Sequence, residues 1–227
     1  MPRPKALLSW SSGKDSAYAL AEIRRADDIE IVGLLTTVTS AYARVAMHGV
    51  RRELLERQAQ AAGLPLLAVE LPSPCSNAEY EARLGVALAR ARADDLVHIV
   101  FGDLFLEDIR AYRETQLAAH GMTGVYPLWG RDTRTLAREM IDSGLRARLA
   151  CLDPRHLDRS FAGRVFDHAL LAELPEGVDP CGERGEFHTF ATHGPMFAHP
   201  IDVEVGEVVE REGFVFADLL ATAPRVS

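Results

Sequence analysis

The feature that most constrains this fold is a change of periodicity between Lys5 and Ala26. Lys5 to Trp10 is a short apolar run. It ends in the small polar turn Ser11-Ser12-Gly13-Lys14-Asp15-Ser16, and from Lys14 to Ala26 the apolar residues Ala17, Leu20, Ala21 and Ile23 recur at helical spacing. A strand that passes through a tight turn straight into a helix is the opening of a βαβ unit. The alternation then repeats. Ile29 to Thr37 is β-branched, Val50 to Ala62 is helical and stops at Gly63, and Leu64 to Leu71 is apolar again. Ser76-Asn77-Ala78-Glu79 has the form of a capping box and opens a helix with Tyr80, Leu84, Ala87, Leu88 and Ala91 on one face. Leu96 to Phe101 is a fourth strand, Leu106 to His120 a helix, and Gly124 to Pro127 closes a fifth short strand.

Strands spaced by helices imply a parallel sheet, and near-continuous apolar strands imply helices on both of its faces. The expected fold class is therefore α/β over residues 1–130, with ligands beyond the carboxyl ends of the strands. Past Pro127-Leu128-Trp129-Gly130 the rhythm changes. A helix from Asp132 to Ser143, an apolar run from Leu145 to Leu152, a glycine-rich acidic loop and an alternating tail from Phe197 to Phe216 follow. These read as a smaller α+β unit over residues 131–227, its tail an antiparallel hairpin.

Composition narrows the function classes. No apolar run in the 227 residues nears the roughly 20 needed to span a bilayer, and the N-terminus lacks a signal-peptide core, so the expectation is a cytoplasmic protein without a membrane partner. Net charge is −8, which disfavours a broad nucleic-acid surface. Cys75, Cys151 and Cys181 lie far apart with no Cys-x-x-Cys, which argues against a zinc ribbon, a dithiol pair or a disulfide framework.

The turn between the first strand and first helix suits an anion. Free backbone N–H groups and the helix dipole converge there, and Gly13 permits close approach. Ser9, Ser11, Ser12 and Ser16 offer hydroxyls and Lys14 a charge, while Asp15 holds Mg²⁺ or braces the loop. Ser12 fits only while its φ stays negative; otherwise the loop is strained. Three further groups stand out. Gly102-Asp103 follows the fourth strand, where Asp103 is either a metal or ribose contact or an N-cap. His48, past the second strand, is either a nucleotide contact or a structural histidine. Asp179-Pro180-Cys181-Gly182-Glu183-Arg184-Gly185-Glu186-Phe187-His188-Thr189-Phe190 is either a polar turn or a loop whose paired carboxylates bind an amine, hold Mg²⁺ or act as bases.

This is not a Walker A loop. Trp10 to Ser16 resembles the PP-loop, Ser-Gly-Gly-x-Asp-Ser, with Ser12 in place of the first glycine. Together with Met47-His48, Gly102-Asp103-Leu104 followed by Glu107 and Arg110, and the late Asp179–Phe190 run with Gly194-Pro195, the chain resembles the diphthine–ammonia ligase family over nearly its whole length. That resemblance implies a Rossmann-like, HUP-type nucleotide domain and a smaller C-terminal domain. It implies ATP and Mg²⁺ as cofactors and ammonia as co-substrate. The acceptor would be a carboxylate, on an elongation factor 2-like protein or on a small molecule, that is adenylated before ammonia displaces AMP. In its terms Ser9, Ser11, Ser12, Gly13, Lys14, Asp15, Ser16, His48, Gly102 and Asp103 build the nucleotide site, Asp15 meets the metal, and Glu183, Glu186 and His188 face the carboxylate and ammonia. The alternatives are another PP-loop ATP pyrophosphatase with a different acceptor and a non-catalytic nucleotide-binding regulator; a homodimer is left open.

Overall fold

A computed structural model describes residues 3–39, 44–45 and 49–222 of the chain, with only the backbone of 44–45. The first half forms β1 (Lys5–Ser9), α1 (Lys14–Ala26), β2 (Glu30–Thr39), β3 (Arg44–Val45), α2 (Arg52–Ala62), β4 (Leu66–Leu71), α3 (Asn77–Ala93), β5 (His98–Val100), α4 (Glu107–Ala118) and β6 (Thr123–Val125). Five strands run parallel in the order β4-β2-β1-β5-β6. The two-residue β3 pairs antiparallel with Val38 and Thr39 of β2, beyond the point where β1 leaves it at Leu35.

Alternation along the strands splits the apolar residues between two layers. Ala6 and Leu8 of β1, Leu34 and Val38 of β2 and Val100 of β5 pack with α1, α2 and α5 (Thr133–Asp142). Leu7, Leu35, Val69, Leu71 and Ile99 pack on the other face with Leu88 and Ala91 of α3 and Leu117 of α4. The chain builds outward from β1 through β2 to β4, then crosses back to β5 and β6. The crevice between β1 and β5 is thus the topological switch point, where such sheets bind ligands.

The second half adds β7 (Arg146–Leu152), a 3₁₀ turn (Arg159–Phe161), α6 (His168–Glu173), β8 (Phe187–His193), β9 (Val203–Arg211) and β10 (Phe214–Ala221). The strands form an antiparallel sheet in the order β8-β7-β10-β9. Its buried face shares one continuous core with α1 and α2. Backbone bonds tie the two sheets: Ala191 N donates to Ser12 O at 2.9 Å and Ala198 N to Ala61 O at 2.8 Å.

Three local expectations need correction. The hairpin runs over Val203–Ala221, later than Phe197–Phe216, because Pro200 cannot donate to a ladder and Glu212 and Gly213, both at positive φ, make the turn. Phe187–His193 is a strand rather than the tail of a loop. Ser76 caps α3 by accepting from Glu79 N, but the Glu79 carboxylate bonds Arg83, so the box is only half formed. Among the described residues no helix is long and apolar enough to cross a membrane.

Candidate active site

Three stretches far apart in sequence meet at the carboxyl end of β1. The first is the Ser11–Ser16 turn. Gly13 is the N-cap of α1 with no side-chain cap, so the first turn keeps its dipole directed into the crevice. Ser11 and Ser16 hydroxyls lie 3.1 Å apart, and Ser16 Oγ donates to Gly13 O. Ser12 sits at φ +70°, in the left-handed region, so this loop is strained where the PP-loop pattern has glycine. Its hydroxyl is buried and has no hydrogen-bond partner among the described residues. Ser12→Gly is accordingly expected to raise stability by about 1 kcal/mol: relief of the left-handed conformation and of an unpaired hydroxyl outweighs glycine's extra unfolded-state freedom. Urea unfolding checks this, and a loss of stability would mean that the serine conformation is not strained.

The second stretch is Gly102–Leu104. A Cβ on Gly102 would come within 2.9 Å of three backbone atoms of Asp15 and Ser16, so only glycine lets this turn lie against α1. Asp103 is not a cap, because α4 begins behind Leu106. Its carboxylate pairs with Arg113, Oδ2 lying 2.8 Å from Nε, and Arg113 stacks over the Phe101 ring.

The third is the acidic loop and the start of β8. Glu183 Oε1 accepts from Leu104 N at 2.8 Å, and Thr189 Oγ1 accepts from Lys14 N at 3.0 Å. Its two glutamates differ in environment. Glu186 is buried, its Oε1 accepting from Asp179 N and its Oε2 from Arg184 N, so it holds the loop in shape. Asp179 does the same through Cys181 N, Glu183 N and the Thr133 hydroxyl. Among the described residues, the Glu183 carboxylate accepts only from Leu104 N. Burial, reinforced by the nearby Asp15 charge, raises the Glu183 carboxyl to about 7. Burial, then the Lys14 charge, lowers His188 to about 4, so its ring is neutral at pH 7. Burial also pushes the Cys181 thiol up, which leaves it unactivated as a nucleophile.

Lys14 fastens the acidic loop to the turn. Its ammonium lies 3.0 and 2.9 Å from the two Asp15 oxygens, bonds the Cys181 carbonyl, and sits over the Phe166 and Phe187 rings. Burial alone would lower its pKa, but Asp15, Cys181 and Glu183 outweigh that and raise it. Both Asp15 oxygens thus face an ammonium. That donor set does not fit a metal ion, and among the described residues no group of three or more His, Cys, Asp or Glu side chains does.

Beside the turn lies a cavity of about 180 Å³, lined by Ser9 at the end of β1, Trp10 and Ser11 after it, Leu35 to Thr37 of β2, Phe101 and Arg113. Thr36 is buried and its hydroxyl has no partner among the described residues. Lys14 does not line this space. His48 falls outside the described residues. The structure adds Thr36, Gln58, Arg113 and Asp179 to the site, residues to which the sequence alone assigns no role there. Asp179 lies in the late acidic motif and Arg113 follows Asp103 into the next helix, while Gln58 is marked locally as a polar residue on the apolar stripe of its helix.

Two family models match the chain: the diphthamide synthase N-terminal domain over residues 4–123 and the diphthamide synthase C-terminal domain over residues 132–219. The chain belongs to the diphthamide synthase family. It is similar to the diphthine–ammonia ligase of Danio rerio, 30% identical over 229 residues that cover 93% of this chain and 86% of that protein. It is similar also to the diphthine–ammonia ligase of Homo sapiens, 27% identical over 235 residues, covering 91% and 85%. Both alignments run through the two halves of the chain together. The match to the Schizosaccharomyces pombe diphthine–ammonia ligase is shorter, 94 residues at 32% identity and 16% of that protein.

Proposed function

We propose that the chain is an ATP-dependent amide-forming ligase, which adenylates a carboxylate and lets ammonia displace AMP. One observation carries this reading. The acidic loop is folded onto the Ser11–Ser16 turn through Glu183 to Leu104 N and Thr189 to Lys14 N, which sets a carboxylate with raised pKa beside an anion-receiving helix start. The relatives' name supplies diphthine as the acceptor, and the family resemblance puts it on an elongation factor 2-like protein.

In this reading the base of ATP enters the cavity bounded by Thr36, Phe101 and Arg113. The phosphates lie against the start of α1 and the hydroxyls of Ser11 and Ser16. An acceptor carboxylate oxygen attacks the α-phosphorus and pyrophosphate leaves, the helix start stabilising the charge that develops. Ammonia then attacks the acyl carbon, the bond to AMP breaks, and the proton shed by nitrogen passes to Glu183. Neutral His188 orients the nucleophile. Lys14, Asp179 and Glu186 hold the loops together. Mg²⁺ would come with the nucleotide, and no step is assigned to it.

The test is release of AMP and pyrophosphate from labelled ATP with Mg²⁺ and ammonium, with and without elongation factor 2 bearing diphthine. Release that depends on the factor is expected. Release independent of it would replace the acceptor with another carboxylate. ATP binding without AMP formation under any condition would overturn the ligase reading in favour of a nucleotide-binding regulator.

A further inference from the structure

Gln58 lies on the buried stripe of α2, among Leu54, Leu55, Ala59, Ala61 and Ala62, and is wholly inaccessible to solvent. Burying a primary amide costs several kcal/mol unless each polar group finds a partner. Here the amide is matched on both sides. Its Oε1 accepts from Trp10 Nε1 at 2.9 Å. Its Nε2 donates to Ser12 O at 3.0 Å and to Ala191 O at 2.7 Å. The indole is a donor only and the two carbonyls are acceptors only, so the amide has one orientation that satisfies all three.

The three partners are the end of β1, the strained residue of the turn and the middle of β8. Ser12 has little local reason to keep a positive φ: the conformation costs about 1–2 kcal/mol for a residue with a side chain, and its own hydroxyl has no partner among the described residues. What holds its peptide is its carbonyl, clamped between Ala191 N at 2.9 Å and Gln58 Nε2. If that clamp is lost, the Ser12 peptide can relax toward ordinary φ and re-aim the amides that follow it.

We propose that Gln58 is a positioning residue that sets the phosphate-receiving conformation of the Ser11–Ser16 turn by clamping the Ser12 carbonyl. The inference rests on the reading that this turn receives the phosphates of ATP. Gln58 itself touches no substrate.

The test is a double-mutant cycle read by ATP affinity. Gln58→Met keeps the side-chain length and removes both donors. It is expected to weaken ATP binding about 10-fold or more, since each 1.4 kcal/mol of lost organisation is tenfold. In the Ser12→Gly background, where a positive φ carries no steric penalty, the same substitution should weaken binding by less than about 3-fold. Equal losses in both backgrounds would reduce Gln58 to a packing role and overturn the proposal. A second readout needs no nucleotide: amide exchange of the 10–16 segment in the free protein should quicken in Gln58→Met far more than global unfolding explains, and less so with Ser12→Gly. Absence of ATP binding in the wild type would sink the ATP reading and leave the clamp to this readout, where unchanged exchange overturns it. Should Gln58→Met fail to fold, the wild-type Trp10 indole N–H is expected to exchange slowly, and fast exchange would refute the arrangement.

Discussion

Lys14→Met is expected to cost the fold about 3 kcal/mol, the low end of what removing one partner of a buried ion pair costs. Methionine fills nearly the same volume between the Phe166 and Phe187 rings, so packing is kept while charge is lost. What remains is the Asp15 carboxylate without its counterion and the Cys181 carbonyl without its donor. The low end applies because the Asp15 side chain keeps 25% exposure and can draw on water. Adding Asp15→Asn should return part of the loss, since the uncompensated charge goes with it. The pH dependence has a definite sign. The Lys14 pKa is raised in the folded state, so its contribution is complete below the unfolded value and disappears as pH rises through the folded one. Urea midpoints for the single and double variants check this. A Lys14→Met protein as stable as wild type would mean that the ammonium is not what fastens the acidic loop to the turn.

Glu183→Gln is expected to lower turnover by about 10²–10⁴-fold, the range for loss of a positioned general base, while ATP affinity stays within about 3-fold. Glutamine can still accept from Leu104 N, so the loop keeps its anchor. The wild-type rate should show an inflection near pH 7 as the carboxyl ionises, superposed on the rise in free ammonia that both proteins share; the variant should lose the inflection alone. Stability offers an independent check. Glu183 titrates at about 7 when folded and lower when unfolded, so the folded state binds more protons and stability falls as pH rises over that interval. His188 titrates at about 4 when folded and near 6.5 when unfolded, so it makes stability rise with pH over nearly the same interval. The two slopes oppose each other in the wild type. Removing Glu183 should leave a stability that climbs with pH between about 4 and 6.5. Unchanged turnover in Glu183→Gln would remove this residue from the chemistry.

The two glutamates show where sequence reasoning reaches its limit. In Gly-Glu-x-Gly-Glu they look equivalent, and the resemblance puts both against substrate. Their division arises because backbone N–H groups of Asp179 and Arg184 converge on the Glu186 carboxylate, whereas among the described residues only Leu104 N meets that of Glu183. Lys14 is a similar case. A lysine at a helix start reads as a phosphate ligand, yet its ammonium turns to Asp15 and to a carbonyl 167 residues away.

The sequence by itself determined the elements whose causes lie within a few residues. Helix α1 spans Lys14–Ala26 as its apolar spacing required, α2 ends at Gly63 with φ +67°, and the strand–helix alternation fixed a parallel sheet. Periodicity, caps and turns are local, so they survive in the one-dimensional pattern. The tertiary structure alone decided the rest. Whether Ser12 would hold a positive φ depended on a carbonyl clamp from Gln58, 46 residues on, and from Ala191. Whether the helix start would be braced depended on Thr189, 175 residues on. Long-range contacts of this kind form only once the chain has folded, and the balance of burial and pairing they set is what raises Glu183 and lowers His188.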